Sequence, residues 1–157
     1  MSRLLTLSCI LAFGAVACSS SDSPTDPTGA SGTFTATVDG QPWNGQIEAT
    51  RTGYNGFVFG VVGVDGGIGI ALSVNTSDPD NQAPGTIDLT SGSVGAEISE
   101  GGDIWYAVGS GGSGTLNLNS LDENGASGTF SFVAGPVGGS APDGTRSITN
   151  GSFNLTF

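Results

Sequence analysis

The sequence has no histidine and no lysine, and its 157 residues include only two cysteines and three arginines. Without histidine there is no Ser-His-Asp triad, no imidazole metal ligand and no imidazole acid or base. Without lysine the chain forms no Schiff base with a carbonyl substrate. The chemistry that remains belongs to carboxylates, either as the acid and base of a glycosidase or as calcium ligands.

Positive charge is scarce. Three basic residues stand against 14 acidic ones, which gives a formal net charge of −11 at pH 7. A field of this sign repels nucleic acid and anionic lipid headgroups, so we expect no nucleic-acid partner. Within the predicted domain the only basic residues are Arg51 and Arg146. We predict that they pair with surface acids, with an anion clamp as the alternative.

The first 30 residues predict where the protein is located. Arg3 precedes an apolar run over residues 4–13, which is too short for a transmembrane helix of about 20 residues and is typical of a signal peptide. The next five residues, GAVAC, end at Cys18 and resemble the lipobox of bacterial lipoproteins. The resemblance implies cleavage before Cys18 and lipid on its sulfur and new amino terminus, and Ser19 implies outer-membrane sorting. The alternative is an ordinary secretory signal with Cys18 as a chance thiol.

These features predict a signal peptide over residues 1–17, a lipidated cysteine and flexible tether over 18–32, and a single domain over 33–157. The tether is rich in Ser, Asp, Thr, Pro and Gly and has no large apolar residue with which to form a core. No disulfide is expected, because Cys9 leaves with the signal peptide and Cys18 carries lipid. The expected location is the cell envelope, with the membrane as a partner through the lipid and the domain periplasmic or surface-exposed.

Apolar residues alternate with polar ones throughout residues 33–157, which is typical of half-buried strands. The pattern predicts an all-β fold, an antiparallel meander of about nine to ten short strands in a β-sandwich. A small closed lipocalin-like barrel is the alternative. The clearest hairpin is predicted at Asp65-Gly66-Gly67, and a bulge is predicted at Asn150-Gly151.

Both ends of the domain resemble small bacterial envelope lipoproteins of unknown function. The likeness lies in FTATVDGQPW at residues 34–43, SGTFSF at 127–132 and ITNGSF at 148–153. These motifs are structural. The resemblance therefore implies a fold and a location, and it implies no catalytic residue.

Four aromatic residues are candidates for a ligand surface: Trp43, Tyr54, Trp105 and Tyr106. Trp43 follows a turn, where it forms either an exposed platform for a sugar or a plug for one end of the core, the interpretation that we favour. Trp105 and Tyr106 are neighbours on a predicted strand and therefore point to opposite faces. One belongs to the core, and the other, with Tyr54, forms the candidate surface.

Two groups of acids are the candidates for carboxylate chemistry. Asp78 and Asp80 lie in a short acidic loop and are weak candidates for calcium ligands. We favour a solvated turn as the interpretation of this loop, and we expect no cofactor. Glu97, Glu100 and Asp103 cluster around a predicted turn. A glycosidase would need two such carboxylates about 5–10 Å apart in a cleft, whereas the default is an ordinary acidic surface.

From the sequence we expect a lipid-anchored envelope protein that is not an enzyme and has a binding or structural role, with a carbohydrate or protein partner. A carrier of an apolar ligand is the first alternative, and it predicts a cavity lined by Phe57, Phe59 and Trp105. A carboxylate-dependent glycosidase is the second, and it predicts two acids that face each other across a groove.

Overall fold

The computed structural model describes residues 31–50, 57–75, 84–91, 94–122, 124–137 and 144–157. These ranges form eleven strands and no helix, so they hold no apolar helix that could cross a membrane. Cys18, Arg51, Tyr54, Asp78 and Asp80 lie outside the described residues. The strands are β1 (Ser31–Val38), β2 (Gln41–Asn44), β3 (Gln46–Thr50), β4 (Phe57–Asp65), β5 (Ile68–Asn75), β6 (Gly85–Asp88), β7 (Val94–Glu100), β8 (Asp103–Tyr106), β9 (Ser113–Leu121), β10 (Gly125–Pro136) and β11 (Arg146–Thr156).

Over the described residues the strands form one antiparallel sheet that does not close into a barrel. Its order is β2-β1-β11-β10-β8-β7-β5-β4-β3, and β9 pairs with both β10 and β6. The long strand β10 forms the corner, because most of it pairs with β9 while Gly135 and Pro136 pair with β8. The predicted antiparallel all-β fold is therefore confirmed, and the closed barrel offered as its alternative is wrong.

The corner at β10 divides the sheet into two layers. The first layer contains β2, β1, β11, β10, β9 and β6, and the second contains β3, β4, β5, β7 and β8. Alternate residues of both layers join one buried core, to which Phe34 and Phe153 contribute from the first layer and Ile70 and Ile98 from the second. This is the sandwich arrangement, in which each layer buries one face against the other.

The two layers approach each other closely at Gly63 of β4. A Cβ atom built there would lie 2.6 Å from Cδ1 of Phe34 and 2.7 Å from Cη2 of Trp43. Two aromatic rings of the first layer therefore pack directly on bare backbone of the second. Only glycine leaves the space that these rings occupy.

Three hairpins are closed by two-residue turns in which both residues have positive φ. The φ angles are 46° and 84° at Asp39-Gly40, 58° and 85° at Gly66-Gly67, and 63° and 97° at Gly101-Gly102. Turns of this kind match the right-handed twist of the flanking strands. The hairpin of β4 and β5 lies where the sequence predicts it, with Asp65 paired to Ile68.

The last strand contains the predicted bulge. From Thr35 to Thr37, β1 advances two residues, whereas its partners on β11 advance three, from Ser152 to Thr149. Pairing with β10 shows the same mismatch, and Asn150 has a φ of 52°. The extra residue changes the phase of β11, so that Ile148 and the later apolar residues of the strand all face the core.

Two features differ from the sequence prediction. Strand β2 overlaps the turn that the sequence predicts before Trp43. It contains Pro42 and lies at the end of the strand order, where a residue without an N–H is tolerated. Residues 57–64 are mostly apolar, which favours a central strand covered on both faces. Strand β4 is flanked by β3 and β5, but Val62 and Val64 on its outer side are exposed. The apolar residues on the outer face of β4 are therefore exposed to solvent and are not covered by another layer of the described chain.

Candidate functional site

Arg146 joins two hairpin turns. Its Nε donates to Oδ2 of Asp39 and its Nη1 donates to Oε2 of Glu100, both at 2.5 Å. The guanidinium carbon also stands 5.2 Å from the centre of the Trp105 ring. The backbone N–H of Ser147 donates to the other oxygen of Asp39, at 2.8 Å. Arg146 therefore pairs with acids as predicted, and two of its donors are directed at carboxylates of the chain itself.

The pairing shifts the titration of Arg146. Burial acts to lower the pKa of the guanidinium. The hydrogen bonds and charges of Asp39 and Glu100 outweigh that effect and raise the pKa above its ordinary value. Arg146 is therefore a permanent cation that holds the ends of the two layers together.

A pocket of about 310 Å³ lies beside Arg146, and Asp39 and Asp65 contribute carboxylates to its wall. One oxygen of Asp65 accepts from the backbone N–H of Asn44 at 3.1 Å. Within the described ranges no three acidic, histidine or cysteine side chains come together to hold a metal ion. The carboxylates of Asp39 and Glu100 therefore pair with Arg146, and the carboxylate of Asp65 accepts a hydrogen bond from the backbone of β2.

The aromatic candidates occupy different environments. Trp43 is 4% exposed and Trp105 is 7% exposed, so both belong to the core, and neither offers a platform to a ligand. Trp43 donates through Nε1 to the carbonyl of Ile68 at 3.2 Å and stacks edge-on against Phe34. Tyr106 is half-buried on the opposite side of β8 from Trp105, as their adjacency predicts. The predicted aromatic surface is therefore reduced to Tyr106 among the described residues.

The acids around the β7–β8 turn do not form a facing pair. Glu97 and Glu100 are three residues apart on one strand, which directs them to opposite faces. Glu100 is bound by Arg146, and Asp103 pairs with Glu100 across the hairpin. These three residues therefore lack the arrangement of two opposed carboxylates that a glycosidase requires.

The outer face of the second layer forms a shallow groove, here called the trough. Its floor is made of small or polar residues of β5 and β7, and its sides are apolar residues of β4 and β8. Register places these residues in two transverse rows: Val62, Ala71, Glu97 and Tyr106 in one, and Val64, Gly69, Ser99 and Ile104 in the other. A cavity of about 250 Å³ lies over Val62, Ala71 and Glu97 of the first row and over the adjacent residues Gly60, Ser73 and Gly95.

Two hydroxyl groups lie flat on the trough floor. A Cβ atom at Gly95 would stand 2.5 Å from Oγ of Ser73, and one at Gly69 would stand 2.6 Å from Oγ of Ser99. Each serine therefore covers a neighbouring glycine. The floor is consequently low between Val62 and the β8 side, and it presents one hydroxyl in the row on each side of Glu97.

Glu97 is the charged residue of the trough floor. Its carboxylate is about half-buried, and burial raises the pKa of Glu97 above its ordinary value. The described part of the chain supplies no hydrogen bond and no ion pair to this group. A carboxylate with a raised pKa in a groove is a candidate binding group.

The Glu97 carboxylate predicts a specific pH dependence of stability. Because its pKa is raised in the folded state, the native protein binds more protons than the unfolded chain from about pH 4.5 upward. Stability falls across that window and stays lower once Glu97 is ionised. We expect Glu97→Gln to unfold at a higher temperature than wild type at pH 7 and at the same temperature below pH 4. Thermal melts at both pH values test this, and an equal shift at both would contradict it.

The chain matches no known protein family, and neither a curated protein nor a solved structure shows a significant likeness to it. The likeness to envelope lipoproteins stays a prediction from the sequence motifs. The candidate site is thus defined by its geometry alone.

Proposed function

We propose that the chain is a lipid-anchored protein of the cell envelope, in the outer membrane where the cell has one, whose β domain has a non-catalytic binding role. The lipobox-like residues that end at Cys18 support the anchor. The described domain begins at Ser31, a short way along the chain from that cysteine. β1 runs from Ser31 toward the Asp39-Gly40 turn, so the hairpin turns near Arg146 would face away from the membrane.

The trough is the observation that carries the binding role. It combines exposed valines on its β4 side, a low floor and a half-buried carboxylate that the described chain leaves unpaired. Burying a charge that has no partner lowers the stability of the folded domain. A partner that pairs with the Glu97 carboxylate would offset this cost, and the free energy recovered would contribute to its affinity.

The anchor is tested by Cys18→Ser in the full chain expressed in a Gram-negative bacterium. Wild type is expected in the membrane fraction, with mass spectrometry showing lipid on Cys18. The variant is expected in the soluble fraction, because lipid chains supply the membrane affinity.

The matched control is Cys9→Ser, which changes the other cysteine of the chain. It is expected to leave the protein in the membrane fraction. An unmodified Cys18 in wild type, or equal release by both variants, would refute the anchor.

A further inference from the structure

We propose that Asn124 is a self-modifying residue, which loses its side-chain amide through attack by the backbone nitrogen of Gly125, with the carboxylate of Asp122 as the base. These residues form the turn between β9 and β10. The reaction is independent of the binding role proposed for the trough. Three observations support it: the Asn-Gly pair itself, the hydrogen bonds within the turn, and the way in which other Asn-Gly pairs of the chain are held.

An asparagine that precedes glycine is open to ring closure, because glycine has no side chain to hinder the approach of its backbone nitrogen. The sequence has four such pairs, which begin at Asn44, Asn55, Asn124 and Asn150. Asn55 lies outside the described residues. The other three differ in what the nitrogen of the following glycine contacts.

The β9–β10 turn places a base on the attacking nitrogen. The N–H of Gly125 donates to Oδ1 of Asp122 at 3.1 Å, which is within the reach required of a general base. The N–H of Asn124 donates to the same oxygen at 2.7 Å and holds the carboxylate in place. Asn124 is exposed, and nothing in the described ranges bonds its side-chain amide, so that its Cγ can rotate toward the Gly125 nitrogen.

The reaction needs only the turn and water. Asp122 takes the proton from the Gly125 nitrogen, and that nitrogen forms a bond to Cγ of Asn124. The bond from Cγ to Nδ2 then breaks, and the departing nitrogen takes the proton back from Asp122 and leaves as ammonia. Water opens the resulting cyclic imide at either of its carbonyls, which produces an aspartate or an isoaspartate at position 124.

Asn44 has no such base beside it. The N–H of Gly45 donates to the main-chain carbonyl of Phe34 at 2.9 Å. A peptide carbonyl accepts a hydrogen bond but does not take up the proton at neutral pH. We therefore expect ring closure at Asn44 to be slower than at Asn124.

Asn150 is protected by packing. Gly151 is buried and pairs with Phe130, whose ring would lie 2.5 Å from a Cβ atom built at Gly151. The backbone nitrogen of Gly151 cannot move toward the Asn150 side chain without disturbing this close-packed contact. Ring closure at Asn150 is therefore also expected to be slow.

Modification at Asn124 would change the turn. Either product adds a negative charge, and the isoaspartate also adds one carbon atom to the backbone. The main-chain carbonyl of Asn124 accepts from the N–H of Phe157 at 2.9 Å. The longer backbone of the isoaspartate would move this carbonyl away from Phe157.

The test is peptide mass spectrometry of the purified full chain during incubation at neutral pH, which follows the conversion of each asparagine to its acid. We expect Asn124 to convert at least about tenfold faster than Asn44 and Asn150, a modest share of the acceleration that a general base supplies. In urea, where the turn is lost, the three sites are expected to convert at similar rates, all slower than Asn124 in the folded chain.

Two variants remove the base and keep an oxygen that accepts hydrogen bonds. Asp122→Asn and Asp122→Ser are each expected to slow conversion at Asn124 at least about tenfold. The matched control is Asp103→Asn, which makes the same change in net charge as Asp122→Asn in the β7–β8 turn and is expected to change the rate less than about twofold. Thermal melts confirm that each variant is folded.

Three results would overturn the proposal: equal rates at the three sites of the folded chain, conversion of Asn124 in urea as fast as in the folded chain, or an undiminished rate in both Asp122 variants. The first two would assign the reaction to the Asn-Gly pair alone, and the third would remove Asp122 as the base. None of them bears on the anchor at Cys18 or on the trough.

Discussion

Replacing Phe130 with alanine is expected to lower the free energy of unfolding by about 3–5 kcal/mol. Phe130 is 3% exposed, and its ring centre lies 5.4 Å from that of Phe34 and 6.5 Å from that of Phe153. The ring also covers Gly151, where a Cβ atom would stand 2.5 Å from it. Because a glycine lies beneath the ring, no side chain there can move into the cavity.

Urea denaturation measures this loss as a lower midpoint at an unchanged slope. The control is Val108→Ala, since Val108 is 55% exposed and is expected to change stability by less than about 0.5 kcal/mol. A loss below about 1 kcal/mol for Phe130→Ala would show that the aromatic residues are not packed as described.

The second large effect is expected from adding one methyl group at Gly63. Gly63→Ala places a carbon within 2.7 Å of both Phe34 and Trp43, whose rings are held in the core. Overpacking of this kind costs about 1–3 kcal/mol. In a Trp43→Phe background, which removes one of the two clashing atoms, the same substitution is expected to cost less.

Gly95→Ala is the matched control, because it makes the same substitution on the outer side of the second layer. Its new methyl group would meet the Ser73 hydroxyl, which can rotate away, and no core ring. We expect its free energy of unfolding, measured by urea denaturation, to stay within about 0.5 kcal/mol of wild type. Equal losses at Gly63 and Gly95 would contradict the close approach of the two layers at Gly63.

Much of the fold is predictable because strand patterning is local. Leu116 and Leu118 face the core, and Asn117 and Asn119 face solvent, as their alternation predicts. Paired glycines mark turns that need positive φ, so the β4–β5 hairpin is also visible in the sequence. The bulge at Asn150 is also visible in the sequence, because the Asn150-Gly151 pair is typical of backbone that needs a positive φ.

Features formed by residues far apart in sequence were not predictable. Arg146 meets Asp39 across 107 residues and Glu100 across 46, and no local pattern records those distances. Strand β2 was missed because Pro42 is typical of a turn, and only its place at the sheet edge permits a strand.

The trough was only partly predictable. The small residues Gly69, Ala71 and Ser73 are visible as the outer side of β5. The sequence groups Glu97 with Glu100 and Asp103, whereas strand register places it beside Tyr106. That pairing depends on the register between β7 and β8, which is known from the structure and cannot be read from the composition.

The pairing of β1 with β11 also determines how the domain responds to mechanical force. Ser31 pairs with Thr156 and Val38 pairs with Ile148, so the first described strand is paired with β11 from end to end except at the bulge between Thr35 and Thr37. These bonds run perpendicular to the strands. Tension applied to Ser31 along β1 therefore shears the ladder and is shared by many bonds at once, whereas a pull across the strand would open them one after another. A domain held at this end resists stretching along the direction in which an anchor would pull it.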